Sequence, residues 1–130
     1  MRLRELMRKE VFEASPDECL ADAAARMRDH GIGSLPVMAG EELLGILTDR
    51  DLMNAVADGA AAEETRVVSY MSSVPIVAAP GDDTATAARL MVQHDVRHLP
   101  IVQGSRVVGI VSARDLLVLQ GWPYQAAARR

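Results

Sequence analysis

The stretch LLGILTDRDLMNAV begins at Leu43 and returns as VVGIVSARDLLVLQ from Val107. The match runs on without a gap at a spacing of 64 residues, and 16 of the 48 positions from Met7 to Asn54 are identical to their counterparts. Met7 pairs with Met71, Ala14 with Ala78, Pro16 with Pro80, Met27 with Met91 and His30 with His94. Leu35-Pro36 pairs with Leu99-Pro100, Gly45-Ile46 with Gly109-Ile110, and Arg50-Asp51-Leu52 with Arg114-Asp115-Leu116. A duplication of this length means that one supersecondary unit is written twice and that each copy covers the other's apolar face. In a chain of 130 residues, neither half alone buries enough surface for an independent core.

Each copy reads as β-α-β-β-α. An extended stretch (EVFEAS or VPIVAA) ends at Pro16 or Pro80. Leu20, Ala23, Ala24 and Met27 then recur at helical spacing, as do Ala87, Ala88 and Met91. Asp17 and Glu18, or Asp82 and Asp83, stand where a helix N-terminus favours negative charge, and Gly31 or Asp95 ends the helix. SLPVM and LLGILT, or HLPIV and VVGIVS, flank a short Gly-containing connection and predict a hairpin. A second helix opens at Asp49 or Ala113 and carries Leu52, Met53 and Val56, or Leu116, Leu117 and Leu119. The expected fold is α+β, made of two α/β-type repeats packed through their sheets with pseudo-twofold symmetry. The repeats are residues 1–57 and 67–119, with a linker at 58–66 and a tail at 120–130 that holds Trp122.

Composition narrows the function. Hydrophobic residues make up 49% of the chain but aromatic ones only 3%, so the core is aliphatic and stacking platforms for single-stranded nucleic acid are scarce. The net charge of −4 also disfavours a phosphate-gripping surface. The single Cys19 forms no internal disulfide and reads as a small buried or capping residue. No apolar run reaches the roughly 18 residues of a membrane span, and MRLRELMRKE lacks a signal peptide's apolar stretch, so a cytoplasmic location is expected. His30 and His94 suit helix C-termini and need no metal, and the methionines are core filler. No nucleophile–base pair, phosphate-binding glycine loop or pair of catalytic acids is present, so neither catalytic nor metal-binding residues are expected.

Chemistry concentrates at Thr48-Asp49-Arg50-Asp51 and Ser112-Ala113-Arg114-Asp115. A hydroxyl three residues before a carboxylate, at a strand-to-helix junction, has the form of a capping box. The same geometry holds a carboxylate where it can accept from adjacent ribose hydroxyls, beside a helix N-terminus that favours an anion. Both readings stand, and the two roles are compatible.

SLPV and HLPI, LGILTDRDL and VGIVSARDL, with the P…A…M…H helices upstream, resemble a tandem pair of cystathionine-β-synthase (CBS) domains, a Bateman module, over about residues 3 to 119. The resemblance implies two three-stranded sheets with clefts between the repeats, assembly as a homodimer, and regulatory binding of adenosine-containing ligands such as AMP, ADP, ATP or S-adenosylmethionine. It implies a ribose-binding role for Asp51 and Asp115 beside Thr48 and Ser112, and a phosphate-contacting role for Arg97 and His98. Gly33-Ser34 stands at the equivalent place in the first repeat and carries no charge, so unequal pockets are expected. Arg50 and Arg114 either add charge there or form a solvated helix face. The reading is a regulatory module that senses an adenosyl ligand and signals to a partner protein. A ligand-free scaffold is the alternative, and nucleic-acid binding is the least favoured.

Overall fold

The computed structural model describes residues 1–73 and 75–119. The tail with Trp122 therefore lies outside the described residues. The elements are α1 (Leu3–Leu6), α2 (Leu20–His30), β1 (Ser34–Ala39), β2 (Glu42–Thr48), α3 (Asp49–Ala57), a 3-10 turn at Val67–Ser69, α4 (Thr84–His94), β3 (His98–Gln103), β4 (Arg106–Ser112) and α5 (Ala113–Leu119). β1 pairs antiparallel with β2, and β3 with β4, giving two small sheets in a mixed helix-and-strand fold. Gly31 and Asp95 end α2 and α4 in the left-handed conformation, at φ 62° and 52°. Cys19 is the N-cap residue of α2 but makes no side-chain cap bond, whereas Asp83 accepts from the Thr86 N–H at the start of α4.

The expected leading strand of each repeat shrinks to a single parallel rung. Ala14 donates to the Pro36 carbonyl at 2.9 Å and accepts from the Met38 N–H at 2.9 Å. Ala78 does the same with Pro100 and Val102, at 3.1 and 2.8 Å. The next rung on one side would need an N–H from Pro16 or Pro80, and on the other side from Pro36 or Pro100. Proline has none, so the ladder stops on both sides of the alanine.

The compact units also differ from the sequence repeats. Among the described residues, one unit joins Met1–Lys9 to Ile76–Gln103 and residues 107–119, and the other joins Glu10–Pro75 to Gly104–Arg106. The opening segment of each repeat closes the sheet of the other one. Arg8 and Ile110 exchange backbone hydrogen bonds of 2.9 and 3.1 Å, and Ser72 and Ile46 exchange bonds of 2.9 and 3.0 Å. Leu3 N–H and Arg4 N–H bond to the carbonyls of Asp82 and Pro80, as Val67 N–H and Val68 N–H bond to those of Glu18 and Pro16. The residues called a linker at 58–66 thus continue into a segment that belongs with the first sheet.

Each unit has its own aliphatic core. Ala14, Leu20, Ala23, Met27, Leu35, Val37, Leu47, Ala55 and Val67 form one, and Leu3, Ala78, Ala87, Met91, Leu99, Ile101 and Val111 form the other. Leu3 and Val67, both fully buried, are the anchors brought in by the crossing segments. Ala88, expected on the buried face of α4, is exposed because α4 turns Ala87 and Met91 inward instead. The expected apolar face of the second helices is also only partly used. Met53, Val56 and Leu117 are 61%, 79% and 53% exposed, and Ala55 is the buried residue of α3.

Candidate functional site

Both Thr/Ser-x-x-Asp sequences fall at a strand end where the next helix begins. β2 ends at Thr48 and α3 opens at Asp49, while β4 ends at Ser112 and α5 opens at Ala113. Asp51 Oδ2 accepts from the Thr48 N–H at 2.8 Å, and Thr48 Oγ1 accepts from the Asp51 N–H at 3.3 Å. Asp115 Oδ2 accepts from the Ser112 N–H at 2.8 Å, and Ser112 Oγ accepts from the Asp115 N–H at 3.2 Å. These are two reciprocal capping boxes, so the capping role is present in both copies.

Capping occupies only one carboxylate oxygen. Among the described residues, Oδ1 of Asp51 and of Asp115 makes no hydrogen bond. Both side chains are half-buried rather than waving in solvent. Burial pushes the Asp51 carboxyl above the ordinary aspartate range, with Asp49 adding to the rise. Bonds from the Thr48 N–H and hydroxyl, and the Arg50 charge, oppose it without cancelling it. A carboxylate held by one oxygen, with the other in a partly desolvated setting, is arranged to accept from a neutral hydroxyl donor.

The hairpin start sits beside each box. Ala113 N–H donates to the Arg97 carbonyl at 2.8 Å, and Asp49 N–H donates to the Gly33 carbonyl at 3.0 Å. Arg97-His98 therefore adjoins Ser112–Asp115 within one unit, and Gly33-Ser34 adjoins Thr48–Asp51 within the other. Arg97 is exposed and His98 half-buried at the first position of β3, whereas Ser34 is buried, 5% exposed. Arg50 and Arg114 are exposed on the first turns of α3 and α5, and both have interaction partners in the structure. The two ends thus differ in charge as the sequence implies.

The Glu18–Arg26 pair and the His30 ring, outside these ends, are structural. Arg26 pairs with Glu18 at 2.8 Å, and Glu18 also takes the Ser15 N–H at 2.7 Å. Burial pushes the Glu18 carboxyl up, but the Arg26 and Ser15 hydrogen bonds and the Arg26 charge outweigh it and leave it below the usual glutamate range. His30 stacks on Phe12 with ring centroids 3.7 Å apart, a contact that periodicity did not reveal because the two residues lie on different elements. Among the described residues there is no cluster of three metal-ligating side chains, and no helix is long and apolar enough to cross a membrane.

The CBS domain family model matches residues 3–58 and 67–120. The chain is 35% identical over 118 residues to the CBS domain-containing protein YhcV of Bacillus subtilis, covering 91% of this chain and 84% of that one. It is 32% identical over 117 residues to inosine-5'-monophosphate dehydrogenase of Korarchaeum cryptofilum, covering 89% of this chain but only 24% of the enzyme. Resemblance to that enzyme is thus confined to about a quarter of its length. Among solved structures, the CBS domain pair of protein MJ0100 in complex with 5'-methylthioadenosine and S-adenosyl-L-methionine superposes with a TM-score of 0.87 at 25% identity, covering 93% and 96% of the two chains. With two copies of the family's unit spanning nearly the whole described chain, this protein belongs to the CBS domain family, as a tandem pair.

Proposed function

We propose that this chain is a non-catalytic sensor that binds an adenosine-containing ligand at its Thr/Ser-x-x-Asp ends and passes occupancy to a partner protein. The observation that carries this reading is the unused Oδ1 of two half-buried carboxylates, each locked in orientation through its other oxygen. Ribose hydroxyls are donors of the right kind for such an acceptor. The end formed by Arg97, His98, Ser112, Arg114 and Asp115 takes the phosphorylated or cationic-contacting part of the ligand. The end formed by Thr48, Arg50 and Asp51 has Gly33-Ser34 in place of the basic pair and takes a neutral or weaker ligand. The adenosyl compounds bound to MJ0100 support the ligand class. The outward apolar side chains Met53, Val56 and Leu117 support assembly with a second copy.

Binding regulates only if the ligand prefers one arrangement of the protein over another. The test is a thermal-shift series with AMP, ADP, ATP and S-adenosylmethionine. At about 100 times its dissociation constant, a true ligand adds about 2.7 kcal/mol to stability. The gain should vanish in Asp115→Ala while the apo protein loses only a cap's worth of stability. No gain with any of the four leaves the ligand-free scaffold as the reading.

A further inference from the structure

A second basic feature lies away from both capping boxes, within the unit that holds the N-terminal segment. A cavity of about 450 Å³ is lined by Arg4, Met7, Lys9, Pro80, Gly81, Gln103 and Val108. Gln103 ends β3 at the hairpin, whereas Ser112 ends β4 at the far end of the same hairpin. The lining carries two cations, one amide and no carboxylate. Neither Arg4 nor Lys9 forms a side-chain hydrogen bond or ion pair with another described residue. Within the same unit the acids nearest in sequence are engaged with backbone: Glu5 accepts from the Arg2 N–H at 2.8 Å, Asp82 from the Ala79 N–H at 2.9 Å, and Asp83 from the Thr86 N–H at 3.1 Å. Glu10, next to Lys9, is exposed and falls in the other unit.

The duplication supplies an internal control. Met7, Pro80 and Val108 correspond to Met71, Pro16 and Leu44, so the apolar lining is kept in the other unit. The polar positions are not. Arg4 corresponds to Val68, Lys9 to Ser73, Gln103 to Ala39 and Gly81 to Asp17. In the other unit Asp17 pairs with Arg66 at 3.3 Å, while Arg2, the counterpart of Arg66, donates instead to the Gly81 carbonyl at 2.8 Å. A side chain at 81 would also crowd Arg4, since a Cβ there lies 3.3 Å from its guanidinium. Two cations and an amide are gained, and one carboxylate is lost, around a retained apolar lining.

We propose that this cavity is a binding site for a small organic anion, a phosphomonoester carried on an apolar body. Arg4 and Lys9 hold the phosphate, Gln103 donates to its oxygens, and Met7, Pro80 and Val108 receive the body. The site is separate from the Ser112–Asp115 end and does not depend on that end binding anything.

The probe is phenyl phosphate, titrated into the full chain and followed by amide chemical shifts, with inorganic phosphate as the comparison. Saturable binding is expected, with shifts centred on Arg4, Lys9, Gly81, Gln103 and Val108. Phenyl phosphate should bind at least about fivefold more tightly than inorganic phosphate. The Arg4→Val, Lys9→Ser double variant and, separately, Gly81→Asp should each weaken binding at least about tenfold, whereas Asp115→Ala should leave it unchanged. Arg4 and Lys9 are exposed, so unchanged melting temperatures verify that the double variant is folded. The single Lys9→Ser variant serves if it is not, with a loss of at least about threefold expected. Equal affinity for the two anions, full binding by these variants, shifts centred elsewhere, or no saturation at millimolar probe would each overturn the assignment.

Discussion

Arg8 and Ile110 exchange two backbone hydrogen bonds, of 2.9 and 3.1 Å, although Arg8 lies in the opening segment of the first repeat and Ile110 in the second. Ser72 and Ile46 repeat the arrangement in the opposite sense. Each sheet edge is therefore closed by a segment that sequence order assigns to the other copy, and neither repeat is a closed folding unit.

Leu3 tests this closure. It is fully buried in the core of Ala78, Ala87, Met91, Leu99, Ile101 and Val111. Leu3→Ala should cost about 2–5 kcal/mol in a urea melt, the usual range for a buried leucine. In hydrogen exchange, the loss of protection should be larger in β3 and β4 than in β1 and β2. Greater exposure of β1 and β2 would contradict the crossed arrangement.

Gly109 tests the same contact from the other side. A Cβ there would lie 2.6 Å from Met7 Sδ and 2.9 Å from the Arg8 carbonyl oxygen. Gly45 meets the Ser72 carbonyl and Met71 in the equivalent way. Gly109→Ala should destabilise by about 1–3 kcal/mol through overpacking. Adding Met7→Ala should recover part of that loss, a coupling that a double-mutant cycle measures directly.

The capping boxes separate helix stability from ligand binding. Thr48→Ala and Ser112→Ala should each cost about 0.5–2 kcal/mol in chemical denaturation. Thr48→Ser should be close to neutral, because the accepting oxygen is retained. A loss well above that range in either alanine variant would show that the hydroxyl does more than cap.

Asp51 and Glu18 should pull stability in opposite directions with pH. Burial raises the folded Asp51 pKa, so the native state holds that proton more tightly than the unfolded chain does. Its contribution is greatest below the unfolded aspartate value and declines as pH rises through the folded one. The folded Glu18 pKa is lowered, so its contribution is present above the unfolded glutamate value and is lost as pH falls through the folded one. Urea melts from pH 3 to 7 (about 3 to 7, spanning the usual carboxylate range) should therefore flatten on their alkaline side in Asp51→Asn and on their acid side in Glu18→Gln. Carboxyl NMR titration should place the two residues on opposite sides of their ordinary values.

Much of this was legible from residues alone. The spacing of 64 residues aligned the buried pairs Ala14 and Ala78, Met27 and Met91, and Leu35 and Leu99 before any packing was known. The openings of α3 at Asp49 and α5 at Ala113 followed from a hydroxyl, a carboxylate and the end of a β-rich run. The single rung of each leading strand is not legible in this way, because the β-rich pattern of its side chains masks the missing proline N–H groups on which a longer ladder would depend. The cavity around Arg4 and Lys9 leaves no local signal in the sequence, since its lining comes from four separate stretches of chain.

The sequence by itself determined the duplicated unit, its helix starts and stops, its aliphatic core and the charge difference between the two Asp-bearing ends, because each is set by neighbours a few residues apart. Only the tertiary structure decided which sheet each leading segment joins. The two edges offer the same backbone groups at Ile46 and Ile110 and the same cleared glycines at Gly45 and Gly109, so local preference cannot tell them apart. The choice falls to the anchors Leu3 and Val67, each of which is buried only in the core where it is found.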